Sequence, residues 1–361
     1  MLQQYYYHFI ILSLLICINN IQSTFSINEV IIKKSNTKFD LPSVPVFSPG
    51  DGGVTCYRIP SIVQSPRDGI LLAFAEARHG SCGDSEVHEI ALKRSHDSGE
   101  TWSDVSFAVG NSSYFVGNPT VVALMDGTIM LIYAKHSKTC NGDCATGNGI
   151  VISKDTGETW SEPRDLNYFG DKSLPGPGTA LETSTGRILF VSHKGAYQND
   201  YVTYSDDHGE TWQTNKQNFP TMDEAQLTQL GNGSIMLNMR HKKSSMLGRA
   251  TAISLDGGIT FGPIRYDKTL ISPVCQASIV TFNNITYFSN PADTNERDKI
   301  TIRKSLDDAR TWASSLHVHE GKTFGYSCLV DAELAQAKGH GGILFESSNS
   351  IIAFAKFNLN F

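Results

Sequence analysis

Basic residues are not in excess in this chain. Lys and Arg number 30 against 36 Asp and Glu in 361 residues, a formal net charge of −6, so the positive footprint of a nucleic-acid binder is absent. Long apolar runs are absent too. Phe9 to Ile18 is a short one, followed by polar Asn19 and Asn20 and small Ser23; it is too short to span a bilayer comfortably and reads as the core of a signal peptide over residues 1–23. The usual basic flank is missing, and a buried first strand is the other reading of that run. Cysteine is sparse: seven residues become six if Cys17 leaves with the signal, an even number that suits an oxidising compartment. Connectivity is not readable from sequence, but Cys140 and Cys144 are the favoured local pair; read as a zinc half-site they lack a second half. There is no convincing long helix, calcium loop, nucleotide motif or metal cluster, so no cofactor is expected. Three sequons, at Asn111, Asn232 and Asn284, agree with a secretory route.

What is present is a motif written five times. Ser-x-Asp-x-Gly-x-Thr-Trp runs from Ser95 to Trp102, from Ser153 to Trp160 and from Ser205 to Trp212; a fourth copy ends in Phe261, and a fifth, Ser305 to Trp312, has Ala309 in place of Gly. The starts are separated by 58, 52, 49 and 51 residues. A period near 50 marks repeated supersecondary units. Each copy is a turn: the Asp can accept local backbone N–H groups, the Gly supplies a conformation that a Cβ resists, and the aromatic offers surface to bury. Between the copies lie Gly-led alternating runs at Gly69–Glu76, Gly127–Tyr133, Gly186–Ser192 and Gly233–Met239, which read as strands. The fold expected is all-β, a six-bladed β-propeller of four-stranded antiparallel sheets over residues 46–361, preceded by a lead-in segment at 24–45. Five similar turns, one per blade, are structural, since a catalytic site is needed only once.

Chemistry is therefore sought off the repeat. Tyr57-Arg58-Ile59-Pro60 follows a Gly-rich stretch, Arg240 ends the strand from Ile235, and Arg297 follows Phe288-Ser-Asn-Pro-Ala292. Three arginines from three blades, each near a strand end, can share one funnel about a propeller axis. Their planar forks suit a carboxylate. Taken singly, each could equally be a surface or ion-paired arginine.

Taken together, these segments resemble the exo-α-sialidase (neuraminidase) family, and most resemble its lysosomal-type animal members. Tyr57-Arg-Ile-Pro matches the family's FRIP-type motif with Tyr in place of Phe, the repeats match its Asp boxes, and Leu72-Ala-Phe-Ala-Glu-Ala-Arg78, Pro175-Gly-Pro-Gly178 and Gly325-Tyr-Ser-Cys328 extend the match to about the C-terminus. The resemblance implies that Arg58, Arg240 and Arg297 hold a sialic acid carboxylate and that Arg78 is a further substrate-binding arginine. It implies Asp84 as general acid/base, Tyr326 as nucleophile, Glu224 as the partner of that tyrosine, and Glu346 as the brace for Arg58.

Those roles are chemically coherent. The anomeric carbon of a sialoside already carries a carboxylate, so a neutral Tyr avoids the repulsion that an Asp or Glu nucleophile would meet, and Glu224 can take its proton. Two displacements imply retention of configuration. Rivals stay open at this point: Glu86 or Glu89 for Asp84, Asp223 for Glu224, and a plain core aromatic for Tyr326. Two other functions are compatible with the scaffold, a transferase of sialic acid and a non-catalytic sialic-acid-binding propeller, although binding alone needs neither acid nor nucleophile. The implied substrates are sialylated glycoproteins, oligosaccharides and gangliosides, with the lysosomal lumen or the exterior as destination. A protective protein partner is not readable from the residues.

Overall fold

The structure is a computed structural model that describes residues 40–84, 88–110, 114–137, 145–166, 173–243 and 248–361. The signal-peptide segment, Asn111, Glu86, Cys140 and Cys144 lie outside the described residues. No helix among those described is long and apolar enough to cross a membrane.

The Gly-led runs are strands, each displaced by two residues from its glycine. Leu71–Arg78, Ile129–His136, Ile188–Lys194 and Ile235–His241 begin two positions after Gly69, Gly127, Gly186 and Gly233. Those glycines have φ between 74° and 88°, and their N–H groups close the preceding hairpin turns. An L side chain resists that backbone region, so the glycine ends one strand and lets the next begin.

Strands join into six small sheets, the blades of a β-propeller. Blade I is Cys56–Gln64, Leu71–Arg78, His88–Ser95 and Ser106–Val109; blade II is Phe115–Ala123, Ile129–His136, Ala145–Ser153 and Arg164–Leu166, with a fifth short strand, Gly178–Thr179, added parallel to Phe115–Ala123 where four antiparallel strands were expected. In blade III, Ile188–Lys194, Asn199–Ser205 and Gln213–Pro220 stand outside an inner strand broken into Leu174–Pro175 and Leu181–Glu182. Blade IV is Met222–Gln229, Ile235–His241, Arg249–Ser254 and Arg265–Asp267, and blade V is Ser278–Phe282, Ile285–Pro291, Ile300–Ser305 and Ser314–His319. Blade VI takes Ser327–Leu329, His340–Glu346 and Ile352–Asn358, and its outermost strand is Ser43–Phe47, paired antiparallel with Ile352–Asn358. That pairing closes the ring and leaves blade VI with no unpaired outer partner to find elsewhere.

The break in blade III explains Pro175-Gly-Pro-Gly178. Prolines remove ladder donors, and the chain between them crosses to its neighbours instead. The carbonyls of Gly176 and Gly178 accept the hydroxyls of Thr120 (2.8 Å) and Ser61 (2.6 Å), and a Cβ on Gly176 would sit 2.4 Å from the Ala225 carbonyl oxygen. Glycine is required there by close approach of backbone to backbone.

Six apolar clusters fill the six blade interfaces, and the box aromatics pack against them. All four tryptophans of the chain are box residues. Trp102 meets Phe354, Trp160 meets Phe74, Trp212 meets Phe190 and Trp312 meets Phe288, with centroids 5.3–6.0 Å apart; Phe261 does the same against Phe219. Within each turn the Ser hydroxyl bonds the Asp and accepts the N–H four residues on, and the Asp accepts both N–H and hydroxyl of the Thr. The Thr contacts hold the carboxyls of Asp155, Asp207 and Asp307 down to about 2. Ala309 makes the same bond to Ser305, at 3.0 Å, by adopting φ 57°.

Antiparallel order places the box turns of blades I to V and the Gly-led hairpins of blades I to IV at the same end of the propeller. The other end carries the remaining connections, the start of each inner strand and the end of the strand beside it. Every candidate site residue belongs to that second end.

Candidate active site

Three of the site positions depend on irregular strand pairing. In blade I the register slips between Arg58 and Ser61, where Ile59 has φ 57° and Pro60 cannot donate. In blade IV it slips between Asp223 and Ala225, so Glu224 is the extra residue and swings out of the pleat. A third slip, between Gly117 and Thr120, frees the Asn118 N–H for Glu76 (2.7 Å). Bulges re-aim side chains in this way without breaking the sheet.

Arg58, at the top of blade I, is 6% exposed and is held from the neighbouring blade VI. Its Nε donates to Glu346 Oε1 at 2.7 Å, and Glu346 also accepts the backbone N–H groups of Ile59 (3.0 Å) and Tyr326 (2.9 Å). One buried carboxylate thus fixes an arginine and the backbone of the tyrosine together. The guanidinium lies 4.0 Å from the Phe324 ring centroid and 5.2 Å from that of Tyr326. Burial opposes the Arg58 cation, but Glu346 outweighs it and raises the pKa.

The tyrosine and the blade IV bulge meet at the floor. The Tyr326 hydroxyl donates to Glu224 Oε1, Arg240 Nη1 donates to Glu224 Oε2, and the same Nη1 lies 3.3 Å from the Tyr326 oxygen. Both Tyr326 and Glu224 are 7% exposed. Burial works against ionised Glu224, yet the Arg240 charge and the Tyr326 hydroxyl hold its pKa below the ordinary value. Burial and the neighbouring Glu224 charge push the Tyr326 phenol well up. The ground state is therefore a neutral phenol donating to a carboxylate, with a cation beside both. Arg240 Nε is buried without a hydrogen-bond partner, a donor still to be satisfied.

Arg297 lies in the blade V loop between Ile285–Pro291 and Ile300–Ser305. It donates to the Phe324 carbonyl at 3.0 Å, and its guanidinium sits 5.8 Å from the Tyr326 ring centroid. Gly325 lets this happen: at φ 87°, an added Cβ would come within 2.9 Å of both Arg297 Cβ and Pro291 Cγ.

Arg78 and Asp84 form the opposite wall. Arg78 is 2% exposed; its Nε and Nη2 bond Glu76 Oε2 at 3.0 and 2.5 Å, and its Nη1 reaches Asp84 Oδ1 at 2.8 Å and the Cys82 carbonyl at 2.5 Å. Arg58 Nη1 approaches the same Asp84 oxygen at 3.9 Å. Asp84 is the exposed member, with 87% of its side chain accessible. Glu76 is fully enclosed; burial raises its pKa, but Arg78, His88 and the Asn118 N–H bring it down to about 2.

Every residue singled out in the sequence is thus in one continuous contact chain around the axis. Two neighbours that competed with them, Glu89 and Asp223, are engaged otherwise. Glu89 bonds His79 at 2.7 Å, while Asp223 accepts the Glu224 N–H at 2.8 Å and faces His193 at 3.5 Å, bracing Glu224 from behind. Sequence reasoning passed over Glu76, which shares a strand face with Arg78 two residues away, and Phe324, under Arg58. It also missed a disulfide, Cys56–Cys82, whose partners are 26 residues apart and close in space only once blade I pairs.

A BNR repeat-like domain matches residues 69–337. The sialidase of Bacteroides fragilis is 29% identical over 86% of this chain and 63% of its own length, and that of Micromonospora viridifaciens is 30% identical over 86% and 52%. The solved Hadza microbial sialidase Hz136 superposes with a TM-score of 0.79 at 30% identity, covering 88% of this chain and 68% of that one. This chain belongs to the BNR-repeat sialidase family. It spans between half and two thirds of the length of the two curated bacterial sialidases just named. Among the described residues of this family member, no group of three or more His, Cys, Asp or Glu is placed to hold a metal ion. The arrangement offers a set of fixed cations for a carboxylate, an exposed carboxyl at the rim, and a buried phenol paired with a base.

Proposed function

We propose that the protein is an exo-α-sialidase that hydrolyses terminal α-linked sialic acid with retention of configuration. The observation that carries this reading is the Tyr326 hydroxyl held against Glu224 with Arg240 beside it, and Arg58 and Arg297 against the same tyrosine ring. A lectin has no use for a phenol aimed at a buried base.

The substrate carboxylate is received by Arg58, Arg240 and Arg297, which leaves the anomeric carbon over Tyr326. Tyr326 attacks that carbon as Glu224 takes the phenolic proton, and Asp84, in its protonated form, gives a proton to the departing glycosidic oxygen. The glycosidic C–O bond breaks and a sialyl–tyrosine ether forms. In the second step Asp84 removes a proton from water, which attacks the anomeric carbon, and Glu224 returns the proton to the leaving phenolate. Sialidases with a tyrosine nucleophile are an established exception to the two-carboxylate scheme of glycosidases. Arg240, 3.3 Å from the phenol oxygen, offsets charge as it builds there.

Sialylated glycoproteins, oligosaccharides and gangliosides are the substrates this reading implies. A secretory route, ending in the lysosomal lumen or outside the cell, is supported by the disulfide and by exposed sequon residues Asn232 and Asn284. The direct test is release of sialic acid from a fluorogenic aryl α-sialoside. Wild-type protein should be active, and Tyr326→Phe and Asp84→Ala should remain folded; Tyr326→Phe should lose about 10³-fold or more in kcat. Full activity in Tyr326→Phe would sink the mechanism. Sialoside binding without turnover would favour a lectin, and transfer to an added sugar acceptor in preference to water would make the protein a transferase.

A further inference from the structure

We propose that the Cys56–Cys82 disulfide is a positioning element of the reaction: it holds the loop that carries Asp84 at the rim of the arginine funnel. The inference rests on the reading of Asp84 as the acid/base. Cys56 is buried in the inner strand of blade I, two residues before Arg58 and directly opposite Arg78 in the strand register. Cys82 lies in the loop after Arg78, two residues before Asp84. The bond therefore ties the acid to the backbone of the strand that bears Arg58.

The other contacts of this loop include breakable hydrogen bonds, from the Thr55 hydroxyl to the His79 carbonyl at 2.8 Å, from Arg78 to the Cys82 carbonyl at 2.5 Å and between His88 and the Gly83 carbonyl at 3.4 Å. Residues 79–84 read His-Gly-Ser-Cys-Gly-Asp, with no large apolar side chain to anchor the loop, and the Asp84 side chain is 87% exposed. Its charged partners are Arg78 at 2.8 Å and Arg58 at 3.9 Å. Arg58 is one of the arginines that the proposed function gives to the substrate carboxylate, so an incoming carboxylate competes for a group that steadies the acid. A covalent tether does not redistribute in that way. The tether is also redundant for the sheet: Cys56–Gln64 and Leu71–Arg78 are already paired along their length. What the disulfide adds is restraint on the loop beyond Arg78, where a two-glycine segment would otherwise wander.

Displacement of a catalytic group by about 1 Å can cost about 10²-fold, so loss of the tether should act on the proton-donating step. That step has its own signature. A methylumbelliferyl sialoside leaves as a stable phenolate and needs little protonation, whereas 3′-sialyllactose expels an alkoxide and depends on the acid. The experiment measures kcat/KM of the full chain on both substrates, for the wild type and for Cys56→Ser/Cys82→Ser. We expect the double variant to fall about 10–100-fold on sialyllactose and less than about threefold on the aryl sialoside. Equal losses on both substrates, or no loss on either, would overturn the proposal.

Should the double variant fail to fold, the native protein is treated with dithiothreitol instead. The reagent delivers two electrons and two protons to the S–S bond, giving two thiols and its own cyclic disulfide. The same selective loss should appear and should reverse on reoxidation. A reductant-dependent shift in substrate ratio in a folded double variant would overturn the assignment to this bond. Asp84→Ala on the same two substrates separates the layers of the argument. Leaving-group dependence there, without it in the cysteine variant, refutes the tether alone; its absence in Asp84→Ala refutes the acid assignment and the tether with it.

Discussion

The two ends of the propeller use carboxylates in opposite ways. At the box end, Asp97 bonds Ser95 and Thr101, two and four residues away, and Asp155, Asp207, Asp256 and Asp307 repeat that arrangement. At the site end, Glu346 bonds an arginine 288 residues away and Glu224 a tyrosine 102 residues away. The first set closes local turns, one blade at a time. The second joins blades, and each of its members has no substitute. A carboxylate lost from the box end should be felt as a small, local change, and one lost from the site end as a large change in stability and chemistry together.

That contrast can be broken by measurement. The largest effect is expected at Glu346→Ala, which leaves Arg58 buried without its counter-charge and the Tyr326 N–H without its acceptor. Denaturant unfolding should register a loss of about 3–5 kcal/mol, with catalysis impaired at any temperature where the variant folds. A loss below about 1 kcal/mol would mean that Glu346 does not bridge the blades as described.

Next comes acid sensitivity. Glu76 has a folded pKa of about 2 against an ordinary 4.5, a depressed value, so its contribution is present in full above 4.5 and is lost as pH falls from there toward 2. The amount is on the order of 3 kcal/mol. Glu76→Gln should flatten the stability profile across that window, and an unchanged profile would refute the assignment.

A box carboxylate should matter far less. Asp97→Ala removes bonds to Ser95 and Thr101 in a partly exposed turn and should cost about 0.5–1.5 kcal/mol in thermal or denaturant unfolding, with kcat unchanged. A loss of activity at constant fold would show that the box end reaches the site. Smallest of all, and of opposite sign, is Ala309→Gly. Ala309 occupies the left-handed region at φ 57°, which a glycine adopts without strain, so stability should rise by about 0.5 kcal/mol.

The same contrast explains what could be read from the chain. A box is legible because its Ser, Asp and Thr bond one another within four residues, and its period set against the chain length gives the blade count. The Gly-led strands were legible for the same reason, and their two-residue offset comes from hairpin turns that claim the glycine itself. Glu224, Glu346 and Asp84 carry no local pattern; they entered through resemblance to a family. Nothing in the chain near Asp223 and Glu224 says which one turns toward Tyr326, because the bulge that decides it depends on pairing with Met222's neighbour strand. Cys56–Cys82 was hidden likewise. The closer pair in sequence, Cys140 and Cys144, drew attention, whereas the bridge links two positions that only the register of blade I brings together.

The 288-residue gap between Arg58 and Glu346 also has a meaning in time. A ribosome adding about 5–20 residues per second makes the arginine roughly 15–60 s before it makes the carboxylate that holds it. Through that interval the nascent chain has box turns, hairpins and even whole blades, but no braced Arg58 and no Tyr326 in place. A chain truncated just before blade VI carries the strands of five blades yet has neither Tyr326 nor Glu346.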